Sequence, residues 1–264
     1  MSAVDYRSQT TLVTGASSGI GAELARRLAA RGSALVLVAR RGEVLEALAA
    51  EIRGVHGVRV EVVPADLVEP GAADRLAAEV AGRGVHVTSL VNNAGFGLQG
   101  AFHEADPQAL RDMVQLDVAA LTDVTRVFVD QLRAAGTGVL VNVASIAAYL
   151  PAPGSAVYGA SKAYVLSLTE ALWVESAGTG LRVLALSPGL TRTEFFDRYG
   201  APAASLGGVQ EPGAVVDTLL RTLDRATPPA SVVAGRRNRA MTSATRLIPR
   251  GAALRLTARV LGAA

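Results

Sequence analysis

Thr11-Leu-Val-Thr14, running into Gly15-Ala-Ser-Ser-Gly19-Ile-Gly21, decides the fold of this chain. The first four residues read as a short buried strand. The glycines that follow break it, and an Ala/Leu/Arg pattern then runs as a helix to Arg31. Ala34 to Ala39 is a continuous apolar run, as expected of a strand covered on both faces. The alternation continues along the chain. Further strands are expected at 58–63 (closed by Pro64), 88–91, 139–144, 181–186 and 231–234. Helices are expected at 43–52, from Glu69-Pro70, from Asp106-Pro107 to about Ala135, across 155–176, and from Glu211-Pro212. At Asp106-Pro107 the acid can cap and the proline suits a first turn. Strands alternating with helices call for a parallel sheet with right-handed crossovers. The expected fold is therefore α/β, a doubly wound parallel sheet of about seven strands with helices on both faces. No solenoid repeat or low-complexity linker divides it, so residues 1–235 are read as a single domain.

Composition narrows the function. The chain has 264 residues, half of them hydrophobic, enough for one large core. The absence of cysteine removes disulfides, thiolate metal sites and cysteine nucleophiles, and suits a reducing compartment such as the cytoplasm. His56, His86 and His103 are scattered and lack metal-ligand spacing, so no metal is expected. Met1 to Thr10 is polar and does not resemble a signal peptide. The longest apolar runs fall far short of the ~20 residues of a membrane span. The small positive charge comes largely from residues 236–264, which hold seven arginines and no acid, with Leu247, Ile248, Leu254, Leu256, Val260 and Leu261 between them. Two readings of this C-terminal extension stay open. It is a helix packed on the body or on a second subunit, or a basic amphipathic helix on an anionic membrane surface. No basic stripe with interleaved aromatics points to nucleic acid.

Gly15, Gly19 and Gly21 lie where a first strand turns into a first helix. There a backbone can approach a pyrophosphate, with the helix N-terminus favouring its charge. At the end of the second strand stands Ala39-Arg40-Arg41. An acid at this point would hold the 2′-hydroxyl of NAD; an arginine suits the 2′-phosphate of NADP. The other reading is that the two arginines begin a solvated helix.

Tyr158 stands four residues before Lys162, one helical turn away on the same face. Such pairs are common, but Lys162 is the only lysine among 26 cationic side chains. A compact ammonium beside a phenol is not replaced by a planar guanidinium. At ~4 Å and an effective dielectric of ~20 it favours the phenolate by roughly 4 kcal/mol, drawing Tyr158 toward neutrality.

Together these stretches resemble the short-chain dehydrogenase/reductase family, its NADP-preferring branch, over roughly residues 11–234. Thr14 to Gly21 matches the cofactor loop, Asn92-Asn93-Ala94-Gly95 the motif after strand four, and Asp66-Leu67 the pair that meets the adenine. Ser145 stands 13 residues before Tyr158, and Pro188-Gly189 with Thr193 matches the segment at the nicotinamide end. The resemblance implies a Rossmann-like fold, homodimers or homotetramers, and NADP held by Gly15, Ser17, Ser18, Gly19, Ile20, Arg40, Asp66, Leu67, Asn93, Ala94, Gly95, Tyr158, Lys162, Pro188, Gly189 and Thr193. It implies a carbonyl/alcohol oxidoreductase. Tyr158 is its general acid/base, Ser145 holds the substrate oxygen, and Lys162 tunes Tyr158 and binds the ribose. Ser18 is not the basic residue that some NADP-using members carry there.

One position departs from the family. Where an asparagine usually binds a water leading to the lysine, this chain has Asp117. It is read as a relay member whose charge offsets part of the effect of Lys162, or else as a buried acid capped locally. Phe195, Phe196 and Tyr199, with Tyr149 and Leu150, suggest an apolar pocket or simply a packed lid. The expected substrate is a mid-sized, mostly apolar carbonyl or alcohol. The alternatives are a membrane-surface reductase of long-chain keto-acyl lipids and a non-catalytic NADP-binding regulator.

Overall fold

Leu12 and Val13 are adjacent, both wholly buried, and belong to the cores on opposite faces of one sheet. The same division runs through Leu35 to Val38, which is why these strands read as unbroken apolar runs. The computed structural model describes residues 4–195, 199, 208–245, 249, 251, 252, 254 and 255. Its strands are β1 Thr10–Thr14, β2 Ala34–Ala39, β3 Val60–Pro64, β4 Ser89–Asn92, β5 Val139–Val143, β6 Arg182–Ser187 and β7 Ser231–Val233. The helices are α1 Gly19–Ala30, α2 Gly42–His56, α3 Ala72–Gly82, α4 Pro107–Val114, α5 Leu121–Ala135, α6 Ala156–Glu175, α7 Pro212–Leu223 and α8 Arg236–Thr245. All seven strands lie parallel in one sheet, ordered β3-β2-β1-β4-β5-β6-β7. Leu24 and Leu28 of α1, Leu45 and Ile52 of α2 and Leu219 of α7 cover one face. Leu76 of α3 with Val124, Phe128 and Leu132 of α5 covers the other. This is the Rossmann-like architecture expected from the sequence.

Three local departures have physical causes. The helix expected at Glu69-Pro70 begins at Ala72, because Gly71 before it has φ 70°, outside the helical region. The third strand starts at Val60, not Val58, and Pro64 closes it as expected, opposite Ala39. The long helix from Asp106 is not one uniform helix. Asp106 caps its start, accepting from the Gln108 amide at 3.0 Å, but Gln115–Ala120 forms a π-helical segment between α4 and α5. Such a segment breaks the regular helical register and is common at functional sites; here it carries Asp117.

A chain of buried polar side chains ties the elements of the second face together. Asn92 of β4 donates to Thr125 of α5 and to Asn142 of β5, each at 2.9 Å. Asn142 in turn donates to Thr169 of α6 at 3.0 Å. Each threonine hydroxyl spends its proton on the carbonyl one turn earlier in its own helix. Asp117 lies just before α5, Ser145 just after β5 and Tyr158 in the first turn of α6, so this chain of bonds ties together the elements beside them.

At the C-terminus, α8 is stitched to the body. Thr242 is buried, and Asn238 Nδ2 donates to the Ala234 carbonyl at 2.8 Å and to Gln210 Oε1 at 3.2 Å. Leu247, Ile248, Leu256, Val260 and Leu261, on which a membrane-facing helix would depend, lie outside the described residues. Among the described residues no helix is long and apolar enough to cross a membrane.

Replacing Thr169 by valine keeps the shape but leaves the buried Asn142 amide without its acceptor. The cost expected is about 1–3 kcal/mol, read as a lower urea midpoint. An unchanged midpoint would show that the chain of side chains contributes nothing to stability.

Candidate active site

β1 and β4 are neighbours, but the chain leaves β1 for β2 on one side and leaves β4 for β5 on the other. A crevice opens where these paths part, at the carboxyl ends of the strands. Its floor is pinned by one side chain. Thr14 Oγ1 accepts from the backbone amides of Asn93 and Ala94, both at 3.0 Å. Asn93 Nδ2 answers by donating to the carbonyls of Thr14 at 3.1 Å and Gly15 at 3.2 Å. Asn93 therefore spends its side chain on holding the glycine turn. Gly19, at φ 54°, lets the turn enter α1. Ser18 at the N-cap makes no side-chain cap bond, so the first amides of α1 keep their donors for another acceptor. A Cβ on Gly19 would stand 2.7 Å from Thr193 Cγ2, so Thr193 lies across the mouth of the turn.

The far end of the crevice is basic. Arg40 Nη1 stands 3.9 Å from Asp66 Oδ2. Asp66 Oδ1 accepts from the Val68 amide at 3.1 Å, and Leu67 between them is buried. Arg41 reaches further. Its Nη2 donates to Ser17 Oγ at 3.1 Å and to Glu194 Oε2 at 2.7 Å. Sequence reasoning noted both arginines at the end of β2 but assigned only Arg40 to the cofactor. The only signal was the doubled arginine, and contact with Ser17 and Glu194 is decided by the fold.

At the near end, Ser145 follows β5 and caps a short 3-10 turn, Ile146–Tyr149, accepting from the Ala147 amide at 3.2 Å. The Ile146 amide donates to the Pro188 carbonyl at 3.0 Å, which brings Pro188-Gly189 beside Ser145. Tyr158 and Lys162 project from the first turns of α6, with Lys162 Nζ 5.7 Å from the Tyr158 ring centre. Lys162 is buried. It donates to the Val143 carbonyl at 3.3 Å and meets Asp117 Oδ2 at 3.2 Å. Asp117 has no exposed surface; Oδ1 accepts from the Phe96 amide at 3.0 Å. Oδ2 accepts no well-aligned hydrogen bond among the described residues. Gly95 is what allows this approach, since a Cβ there would stand 2.8 Å from Asp117 Oδ1 and 3.1 Å from Lys162 Nζ.

The electrostatics depart from the expectation for Tyr158. Burial pushes its phenol up from the ordinary value, and the Asp117 carboxylate adds to the rise. Lys162 and a hydrogen bond from Ser145 pull it down without prevailing. Asp117 is raised, because burial outweighs the attraction of Lys162. Burial alone would lower Lys162, but Asp117 and Tyr158 hold it above its usual value. Tyr158 thus keeps its proton to higher pH than a free tyrosine does.

Above Tyr158 the lid supplies aromatic cover. The rings of Phe195 and Tyr199 lie 5.5 and 6.2 Å from that of Tyr158 and stack on each other at 5.4 Å. Tyr199 Oη is 2.7 Å from Ser155 Oγ. Tyr149 turns its hydroxyl toward Ser187 at 3.4 Å. Phe196 lies outside the described residues. The arrangement is a tyrosine–lysine pair under an aromatic roof, joined by a glycine-lined crevice to a pair of arginines.

The chain as a whole is similar to known proteins. Residues 9–203 match the family model described as short chain dehydrogenase. The chain is 41% identical over 186 residues to a sulfoacetaldehyde reductase of Chromohalobacter salexigens, covering 69% of this chain and 72% of that protein. A short-chain dehydrogenase from Sphingobium yanoikuyae, solved in complex with NADPH, superposes with a TM-score of 0.81. It is 36% identical and matches 90% of this chain and 94% of its own. A bulky-bulky ketone specific alcohol dehydrogenase from Comamonas testosteroni superposes with a TM-score of 0.76 at 31% identity, over 90% of this chain and 92% of its own. With the family model matched over most of its length and a relative 41% identical over more than two thirds of it, the chain belongs to the short-chain dehydrogenase family.

Proposed function

We propose that this protein is an NADP(H)-dependent oxidoreductase that interconverts a carbonyl and a secondary alcohol on a mid-sized, mostly apolar substrate. The observation that carries the proposal is the placing of Ser145, Tyr158 and Lys162 at one end of a crevice whose other end holds two arginines.

The residues present fit the cofactor. The α1 amides, left without a side-chain cap, and the close approach allowed by Gly19 suit a pyrophosphate. Ser17, Ser18 and Ile20 line that turn. Asp66 and Leu67 would meet the adenine, with Asn93, Ala94 and Gly95 forming the floor. Pro188, Gly189 and Thr193 would meet the nicotinamide end. Arg40, at the end of β2, would meet the 2′-phosphate. The Sphingobium relative binds NADPH, which supports the same choice here.

When bound, the nicotinamide supplies hydride for reduction and accepts it in oxidation. In reduction the carbonyl carbon gains the hydride, and the carbonyl oxygen takes a proton from Tyr158 Oη. Ser145 Oγ donates a hydrogen bond to that oxygen as charge develops on it. Lys162 stabilises the phenolate left behind and would hold the ribose of the bound cofactor. Asp117 holds Lys162 protonated and, by its own charge, keeps the Tyr158 proton in place. That balance supports carbonyl reduction near neutral pH.

The aromatic roof supports an apolar substrate. This points toward bulky ketones, the specificity carried by the Comamonas relative's description. Exposed Tyr164, Trp173 and Val174 on α6 support self-association through that helix.

Three outcomes are expected. NADPH should bind more tightly than NADH by calorimetry, and Arg40→Ala should lose most of the difference; equal binding of both by the unmodified protein would reverse the cofactor assignment. Tyr158→Phe should lower turnover of a ketone by about 10²–10⁴-fold while NADPH affinity holds; near-normal turnover would remove Tyr158 from the mechanism. Asp117→Asn removes a charge that favours the protonated phenol, so the pKa of Tyr158 should fall. Oxidation, which needs the phenolate, then rises at lower pH, and reduction, which needs the phenol, declines at lower pH. A shift of either limb to higher pH would show instead that Asp117 acts on Tyr158 mainly by keeping Lys162 charged.

A further inference from the structure

Arg41 is engaged at both ends of a short bridge. One guanidinium nitrogen donates to Ser17 in the glycine turn and to Glu194 in the segment after β6. The two elements lie 177 positions apart in the chain, from Ser17 to Glu194, and nothing local dictates their meeting. Arg40 is less committed, with its nearest carboxylate at 3.9 Å. Glu194 therefore puts an anionic oxygen at 2.7 Å from the cation that stands beside Ser17, at the end of β2.

We propose that Glu194 is a specificity-determining residue that occupies Arg41 in place of the 2′-phosphate, and that the phosphate must displace it. The proposal rests on the NADP reading above. A phosphomonoester and a carboxylate make the same charge-assisted bonds to a guanidinium, and one displaces the other on Arg41. Both side chains are about half exposed, so their pair is weak and readily exchanged. Two carboxylate or phosphate anions cannot share one guanidinium nitrogen without repulsion, so the displaced Glu194 must turn away. A cofactor without the 2′-phosphate leaves the pair intact. Glu194 thus weakens binding of the phosphorylated cofactor selectively and sets the margin of preference lower than Arg40 and Arg41 alone would make it.

The test uses the adenosine halves of the two cofactors, which separate this end of the crevice from the chemistry. Affinities of 2′,5′-ADP and of ADP are measured by calorimetry at low ionic strength, where an exposed pair is least screened. The proteins are the unmodified chain, Glu194→Gln, Arg41→Gln and the double variant. Glu194→Gln should bind 2′,5′-ADP about fivefold more tightly and leave ADP unchanged. In the Arg41→Gln background the same change should have no effect on 2′,5′-ADP. Retained ADP binding shows that each variant is folded. An unchanged affinity for 2′,5′-ADP, an equal gain for ADP, or a gain that persists without Arg41 would each overturn the proposal. If the unmodified chain binds 2′,5′-ADP no better than ADP, the NADP reading itself fails and the proposal falls with it. A preference for 2′,5′-ADP that Glu194→Gln does not change removes the proposal alone.

Discussion

The architecture of the crevice depends on one hydroxyl. Thr14 closes β1 and accepts two backbone amides from the segment that closes β4. Those amides would otherwise be unpaired in a largely buried place, at a cost of a few kcal/mol. The bond fixes the ends of two strands at the point where the chain diverges. From that point Asn93 holds the glycine turn, and two residues later Gly95 brings the backbone against Asp117 and Lys162. The glycine turn and the tyrosine–lysine pair are thus positioned from one place.

Asp117 and Lys162 illustrate how a buried pair works as a tuning device rather than as a source of stability. Two charges removed from water repay little of their desolvation through mutual attraction. What the pair does is set charge states. The carboxylate keeps the ammonium protonated in a site where burial would discharge it. The same carboxylate opposes the ammonium's effect on the phenol, so Tyr158 holds its proton. The π-helical segment is the structural means. A regular helix from Pro107 to Ala135 would present a different register at residue 117, and the altered turn puts the carboxylate under Gly95.

Much of this was legible beforehand, for a physical reason. Strands buried on both faces must be apolar throughout, so Ala34 to Ala39 announces itself. Glycine at φ 54° has no ready substitute, so the turn at Gly19 shows in the residues. A tyrosine and a lysine one helical turn apart carry their geometry with them. Helix starts were less certain where glycine intervened, as at Gly71, because a single residue at positive φ delays the helix without erasing its pattern.

The sequence by itself determined the order of strands and helices, the glycine turn, the tyrosine–lysine face and the presence of arginine where an acid is common. These are local matters of periodicity, backbone freedom and side-chain type. Tertiary structure alone decided that Arg41 reaches Glu194, that Asn93 serves the turn, and that Phe195 and Tyr199 stack over Tyr158. It also decided the sign of the shift at Tyr158. A pKa is set by the balance of burial against neighbouring charges, and both depend on distances between residues far apart in the chain.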